Sequence, residues 1–286
     1  MSPNRLLLCT DLDRTLIPNG PQLEHPAARK LFREFCRLPE VQLVYVTGRH
    51  QALVKQAIQE YALPEPDFAI TDVGTRIYQI IDGKWQAMSA YTAEIAVDWQ
   101  GHSHEQIHKY LSPQTELRRQ EDSNQSTFKL SYYLDLAIDE ERVLSRVASC
   151  LKDKGVDASL VWSIDELENT GLLDVLPRHA TKLHGIQFLQ QQLGFQQDEV
   201  VFAGDSGNDL AVLGSVIPSV LVANASAEVR QQALQLAAQN GQTDFLYLAT
   251  EQSSPLGGNY AAGILQGVRH FSSDFRDKLV QMELSL

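Results

Sequence analysis

Residues 5–20, "RLLLCTDLDRTLIPNG", decide the fold. Positions 6–9 are apolar, Thr10 closes the run, and Asp11 and Asp13 follow with one leucine between them. A short apolar run stopped by polar residues predicts a strand buried on both faces. Such strands belong to parallel sheets covered by helices. Outward from it, "HPAARKLFREFCRL" (25–38) takes helical spacing, with Ala28, Leu31, Phe32, Phe35 and Leu38 on one stripe. "VQLVYVTGRH" (41–50) is a second buried run, ending on Thr47-Gly48, and "QALVKQAIQEYAL" (51–63) is again helical. "DFAITDVGTRIYQI" (67–80) predicts a third strand and a short hairpin. This βαβαβ alternation predicts an α/β protein with a Rossmann-like, doubly wound parallel sheet.

The regime changes near Asp82. In "TFKLSYYLDL" (127–136), Phe128, Leu130, Tyr132 and Leu134 alternate with Lys129, Ser131, Tyr133 and Asp135, the pattern of a half-covered antiparallel strand. "DEERVLSRVASCLKDKG" (139–155) supplies a covering helix with a glycine stop. Past Pro177 the first regime returns, with a helix in "ATKLHGIQFLQQQLG" and a buried strand in "DEVVFAGDSGND" that runs into a carboxylate-rich loop. The expected organisation is a core of residues 1–82 and 177–286, interrupted by an inserted α+β cap over 83–176.

Composition narrows the function. At 286 residues and 43% apolar, the chain can bury one large or two ordinary cores. A formal charge of −12 excludes sequence-independent nucleic-acid binding, which needs a basic surface. Cys9, Cys36 and Cys150 form no C-x-x-C pair and read as reduced, structural thiols of a cytoplasmic protein. The apolar run at 6–9 is too short for a signal sequence or a membrane span, so no membrane partner is expected.

Ligands of an open parallel sheet gather at the carboxyl ends of its strands. Three buried runs end there on polar residues: Asp11 and Asp13, Thr47 and Gly48, and Asp205 to Asp209. Two carboxylates about 5 Å apart repel by roughly 3 kcal/mol at an effective dielectric near 20. Four acids at one edge therefore call for a counter-charge, and Mg²⁺, a hard cation that takes carboxylates, waters and phosphate oxygens, supplies it. Lys182 and the Thr47 hydroxyl can hold phosphoryl oxygens. Asp11 can attack phosphorus, and Asp13 can protonate the leaving alkoxide and then activate water. Singly, a D-x-D pair reads equally as a turn, and Lys182 as a surface lysine; the ordered conjunction is what points to phosphoryl chemistry.

With these residues in place, the chain resembles the haloacid dehalogenase-like hydrolases through "DLDRT", "VTGR", "TK" and "GDSGND". Within them it is most similar to the sucrose-phosphate phosphatase family, through "LLLCTDLDRT", "YVTGR", "ITDVGTRIY", "FKLSYYLD", "DVLP" and "FAGDSGND", a likeness spanning about residues 5–270. The resemblance implies a Mg²⁺-dependent phosphatase with Asp11 as nucleophile and Asp13 as acid/base. It implies metal binding by Asp11, Asp13 (through its main-chain carbonyl), Asp205 and Asp209. Phosphate contacts would come from Thr47, Gly48, Lys182 and Asn208, and sugar contacts from Arg49 and Lys129. Thr181-Lys182-Leu183-His184, Leu176-Pro177-Arg178-His179 and the loop "SSPLGGNYAAGIL" depart from the family's usual strings, so Arg178 and His184 join the candidate sugar contacts.

The implied substrate is sucrose 6-phosphate. A mannosyl- or glucosylglycerate phosphate, or glucosylglycerol phosphate, is the alternative, and a sugar-phosphate synthase is a possible partner. A sugar-phosphate mutase is disfavoured because only about thirty residues separate Asp13 from the second strand. A receiver domain has no use for a ninety-residue insertion, and a non-catalytic sensing domain has no use for an intact Asp11. His102, His104 and His108 look like a metal cluster, but their spacing does not put all three on one helical face. Trp85, Trp99 and Trp162 read as core of the cap more readily than as sugar platforms.

Overall fold

The opening strand, β1 (Leu6–Thr10), has every residue buried. The computed structural model describes residues 5–165 and 168–285. α1 (Ala28–Phe35) turns Ala28, Leu31, Phe32 and Phe35 inward, the stripe its spacing predicts. β2 (Val41–Val46) then runs parallel to β1, with Tyr45 beside Thr10. After α2 (Gln51–Glu60), β3 (Phe68–Thr71) adds a third parallel strand, and β4 (Arg76–Ile81) and β5 (Lys84–Ala87) extend the sheet antiparallel.

The stretch Met88–His184 forms a second compact unit. It holds α3 (Ser89–Ala96), α4 (His104–Leu111), β6 (Arg118–Arg119), β7 (Leu130–Leu134), α5 (Glu140–Asp153), β8 (Ala158–Asp165) and β9 (Thr170–Pro177). Its sheet is antiparallel, in the order β6-β7-β9-β8. Leu130, Tyr132 and Leu134 of β7 enter a core with Val143, Val147 and Leu151 of α5, and Phe128 packs against it. Ser131, on the other face, is also buried and donates to Asp174 at 2.5 Å. The second unit begins five residues after the expected 83 and ends eight residues after the expected 176. β5 still pairs with β4, and β9 runs through Pro177, which pairs with Ala158.

α6 (Lys182–Leu193) leads back into the first unit, followed by β10 (Val200–Gly204), α7 (Leu210–Leu213), β11 (Ser219–Leu221), α8 (Ala227–Gln239), β12 (Leu246–Leu248), α9 (Tyr260–Phe271) and α10 (Ser273–Leu284). The eight-stranded sheet runs β12-β11-β10-β1-β2-β3-β4-β5, so chain order reverses on the two sides of β1. That reversal opens a crevice at the carboxyl end of β1. α9 is buried on all sides from Tyr260 to Val268 because it packs against β10, β11 and β12 of the sheet and also against α1 and α10. A Cβ at Gly263 would fall 2.3 Å from the Gly258 carbonyl, and one at Gly267 2.5 Å from Val220 Cγ1. Among the described residues no helix is long and apolar enough to cross a membrane.

Candidate active site

The ladder continues one residue past β1: the Asp11 N–H donates to the Ala203 carbonyl at 2.9 Å. Asp11 therefore stands beside Gly204 at the end of β10, one residue short of Asp205. The chain then folds back tightly. The Leu12 carbonyl accepts from the N–H groups of Thr15, Leu16 and Ile17 at 3.3, 3.0 and 2.7 Å, and Leu12 is itself fully buried. Arg14, inside this turn, has φ 57°, a left-handed backbone that non-glycine residues seldom adopt.

Asp11, Asp205 and Asp209 are all buried, and each offers an oxygen within 4.8 Å of the others. At that spacing each charged pair repels by about 3 kcal/mol with an effective dielectric near 20. Several contacts orient the group. Asp11 Oδ1 accepts from the Leu12 N–H at 2.7 Å, and Asp205 Oδ1 accepts from Thr15 Oγ1 at 2.8 Å. Arg14 Nε stands 3.9 Å from Asp205 Oδ2. Asp209 Oδ2 accepts from the N–H groups of Asp205 and Ser206, both at 3.1 Å. A Cβ on Gly204 would lie 2.6 Å from that carboxylate, so glycine here makes the room for Asp209. An all-oxygen, carboxylate-rich pocket of this kind suits a hard divalent cation.

Asp13 points elsewhere. Its carboxylate receives Arg49 Nε at 2.7 Å and Arg49 Nη2 at 2.6 Å, and Asn19 Nδ2 at 2.8 Å. The pair is bidentate, the stronger form of this contact, and it raises the pKa of Arg49. Asp13 is not one of the three clustered carboxylates, and Arg49, expected at the sugar, is engaged by Asp13. Thr47 is buried at the end of β2, its Oγ1 accepting from the Arg49 N–H at 3.2 Å, while Gly48 and Asn208 are exposed on neighbouring loops. Lys182 opens α6 and is buried.

In the second unit, Lys129 Nζ lies 3.6 Å from Asp174 Oδ1. Arg178 Nη1 lies 3.4 Å from Asp157 and borders an open cleft of about 460 Å³ together with Gln100 and Lys152. His184 Nε2 is 2.8 Å from Glu94 Oε1, in ion-pair range but misaligned for a hydrogen bond. Beside it, His179 is held by Asp98 through both its N–H and its ring, each at 2.8 Å. His102, His104 and His108 are partnered separately, by Tyr110, Gln125 and Tyr132, and among the described residues they form no metal group. Trp99 is buried in the core of the second unit and Trp162 packs on it; Trp85 belongs instead to the first unit, against Tyr78.

Three contributors stand outside the site residues read from the sequence. Asp72 and Val73, which follow β3, take φ 53° and 60°, and the Asp72 N–H bonds the Arg49 carbonyl at 3.1 Å. Asn224 bonds the backbone of Arg14 across 210 residues. The one available signal was the glycine in "TDVGT", where a run of positive φ ends on Gly74.

A sequence model described as sucrose-6F-phosphate phosphohydrolase matches residues 4–272. A protein of Nitrosococcus oceani, named only as a HAD-like hydrolase, is 47% identical over 95% of this chain and 73% of its own. The mannosylfructose-phosphate phosphatase of Agrobacterium fabrum is 29% identical over 95% of this chain and 98% of its own. Among solved structures, the sucrose-phosphatase of Synechocystis, determined with sucrose and phosphate, superposes with a TM-score of 0.73 at 26% identity, covering 94% of this chain and 98% of that one. With motifs, sheet order and relatives in agreement, the chain belongs to the sucrose-6F-phosphate phosphohydrolase family, among the haloacid dehalogenase-like phosphoric monoester hydrolases.

Proposed function

We propose that the protein is a Mg²⁺-dependent phosphatase that hydrolyses sucrose 6-phosphate to sucrose and phosphate through an aspartyl-phosphate. The observation that carries this reading is the buried trio Asp11, Asp205 and Asp209, within 4.8 Å of one another, in a chain matched by the family over residues 4–272. Mg²⁺ held by these carboxylates and the Asp13 main-chain carbonyl would neutralise them and withdraw charge from the phosphoryl group. Thr47, Gly48, Lys182 and Asn208 hold the remaining phosphoryl oxygens. Asp11 forms a bond to phosphorus as the bond to the sugar oxygen breaks, and Asp13 gives its proton to that oxygen. Asp13 then takes a proton from water, the water oxygen bonds phosphorus, and phosphate leaves Asp11 free. Arg49 and Asn19 hold the Asp13 carboxyl group in the resting protein, so substrate arrival must release it before it reaches the leaving oxygen.

The second unit is proposed as the specificity domain, with Lys129, Arg178 and His184 reading the sugar and a sugar-phosphate synthase supplying it. The Agrobacterium relative, aligned over nearly its whole length, favours mannosylfructose phosphate as a second reading. Phosphate release is to be measured on sucrose 6-phosphate, mannosylfructose phosphate, glucosylglycerol phosphate and mannosyl- and glucosylglycerate phosphates, with and without Mg²⁺. The proposal expects the largest kcat/KM on sucrose 6-phosphate. A larger value on any other member of the panel, or full activity in chelator, counts against it.

A further inference from the structure

We infer that Asn224 is a positioning residue of the reaction, the clamp that keeps the turn bearing Asp13, Arg14 and Thr15 in its working shape. The inference rests on the reading of Asp11 and Asp13 as the reacting pair. Asn224 lies three residues beyond β11 and is 3% exposed. Its Nδ2 donates to the Arg14 carbonyl at 2.6 Å, and its Oδ1 accepts from the Tyr260 N–H at 2.9 Å. A buried side chain of this size that both donates and accepts through fixed atoms is an asparagine; aspartate keeps the shape and the acceptor but has no donor when ionised.

Both backbones it grips are unusual. Arg14 has φ 57° and Tyr260 φ 50°, so neither segment rests in the conformation its residue type prefers. Tyr260 is anchored again by its hydroxyl, which donates to the Gln22 carbonyl at 3.2 Å on the far side of the same turn. The start of α9 therefore braces Asn224, and Asn224 braces Arg14. The chemistry hangs from this turn: Thr15 orients Asp205 at 2.8 Å, Arg14 faces the same carboxylate at 3.9 Å, and Asp13 meets Arg49 and Asn19. If Arg14 relaxed to the right-handed region, its carbonyl would rotate off Asn224 and carry Asp13 and Thr15 with it. Displacement of a reacting group by about 1 Å costs on the order of 100-fold in rate.

The test is Asn224→Asp in the full chain, assayed on sucrose 6-phosphate and on p-nitrophenyl phosphate, with thermal unfolding and a crystal structure of the variant. The expected result is a kcat lower by about 100-fold with KM changed by no more than about threefold, a retained cooperative melt, and an Arg14 φ that has left the left-handed region. A folded variant with kcat within about twofold of the parent, or with Arg14 unmoved, overturns the inference. If Asn224→Asp and Asn224→Ser both lose the cooperative melt, it is also overturned, because Asn224 then holds the fold and not the turn. A parent protein inert on every phosphate ester would strike the hydrolysis reading alone, and the Arg14 backbone in the variant would still decide this one.

Discussion

Asp11 and Asp13 stand two residues apart in opposite settings, and their variants should differ accordingly. Asp11 is 4% exposed inside the carboxylate trio, whereas the side chain of Asp13 is 41% exposed and gripped by Arg49. Asp11→Asn should lower kcat by at least about 1,000-fold without changing the fold, since it removes the group proposed to attack phosphorus. Retained hydrolysis in a phosphate-release assay would contradict that assignment. Thiol chemistry offers an independent check on packing. Burial pushes the Cys9 and Cys36 thiols well above their ordinary range, so neither supplies thiolate at neutral pH. Titration with a disulfide reagent should label Cys9, which is fully buried, only after denaturant is added. Asp11, Thr47, Asp205 and Asp209 were legible because each closes a buried run. Asn224 was not, because its partners are backbone groups and leave no residue type or spacing to read.

Among the elements, α9 makes the sharpest demand on sequence. Its residues 263 and 267 face the sheet so closely that even a methyl group meets the Gly258 carbonyl or Val220. Gly267→Ala should destabilise by roughly 1–3 kcal/mol through overpacking, measured as a lower urea midpoint at unchanged slope. In α4, His108 Nδ1 bonds Tyr132 at 2.9 Å, and burial, aided by Arg119, lowers its pKa below the ordinary 6.5. The fold thus prefers the neutral ring. This contribution is complete above about pH 6.5 and is lost as pH falls through the lowered value. Urea midpoints at pH 7 and pH 5 should diverge less in His108→Gln than in the parent chain. Helices and buried strands were readable from their periods. The left-handed turns after β1 and β3 were not, since tertiary contacts impose them against local preference.

Over the whole molecule, a formal charge of −12 surrounds a trio of buried carboxylates. Asp205→Asn should therefore raise the metal-free melting temperature while abolishing most activity, as removal of a repelling charge predicts. Mg²⁺ at 100 times its Kd should stabilise the parent by about 2.7 kcal/mol, with little effect on the variant, read by thermal shift. The alternation of two hydrophobic regimes made the discontinuous organisation visible in the sequence. The edges of the second unit were harder to place, because β5 alternates like the insertion that follows it and yet pairs with β4.

The pairing of β1 with β10, Leu7 beside Val200 and Thr10 beside Ala203, also fixes when the protein becomes an enzyme. A ribosome delivers Asp205 nearly two hundred residues after Asp11. The sheet of the second unit is complete at Pro177, well before β10 exists, and domains generally fold as units during synthesis. The first strand meanwhile holds an open edge for its last partner, the slow, non-local kind of contact. Nascent chains that stop short of Asp209 lack the carboxylate trio, so its assembly waits for the second unit to be made first.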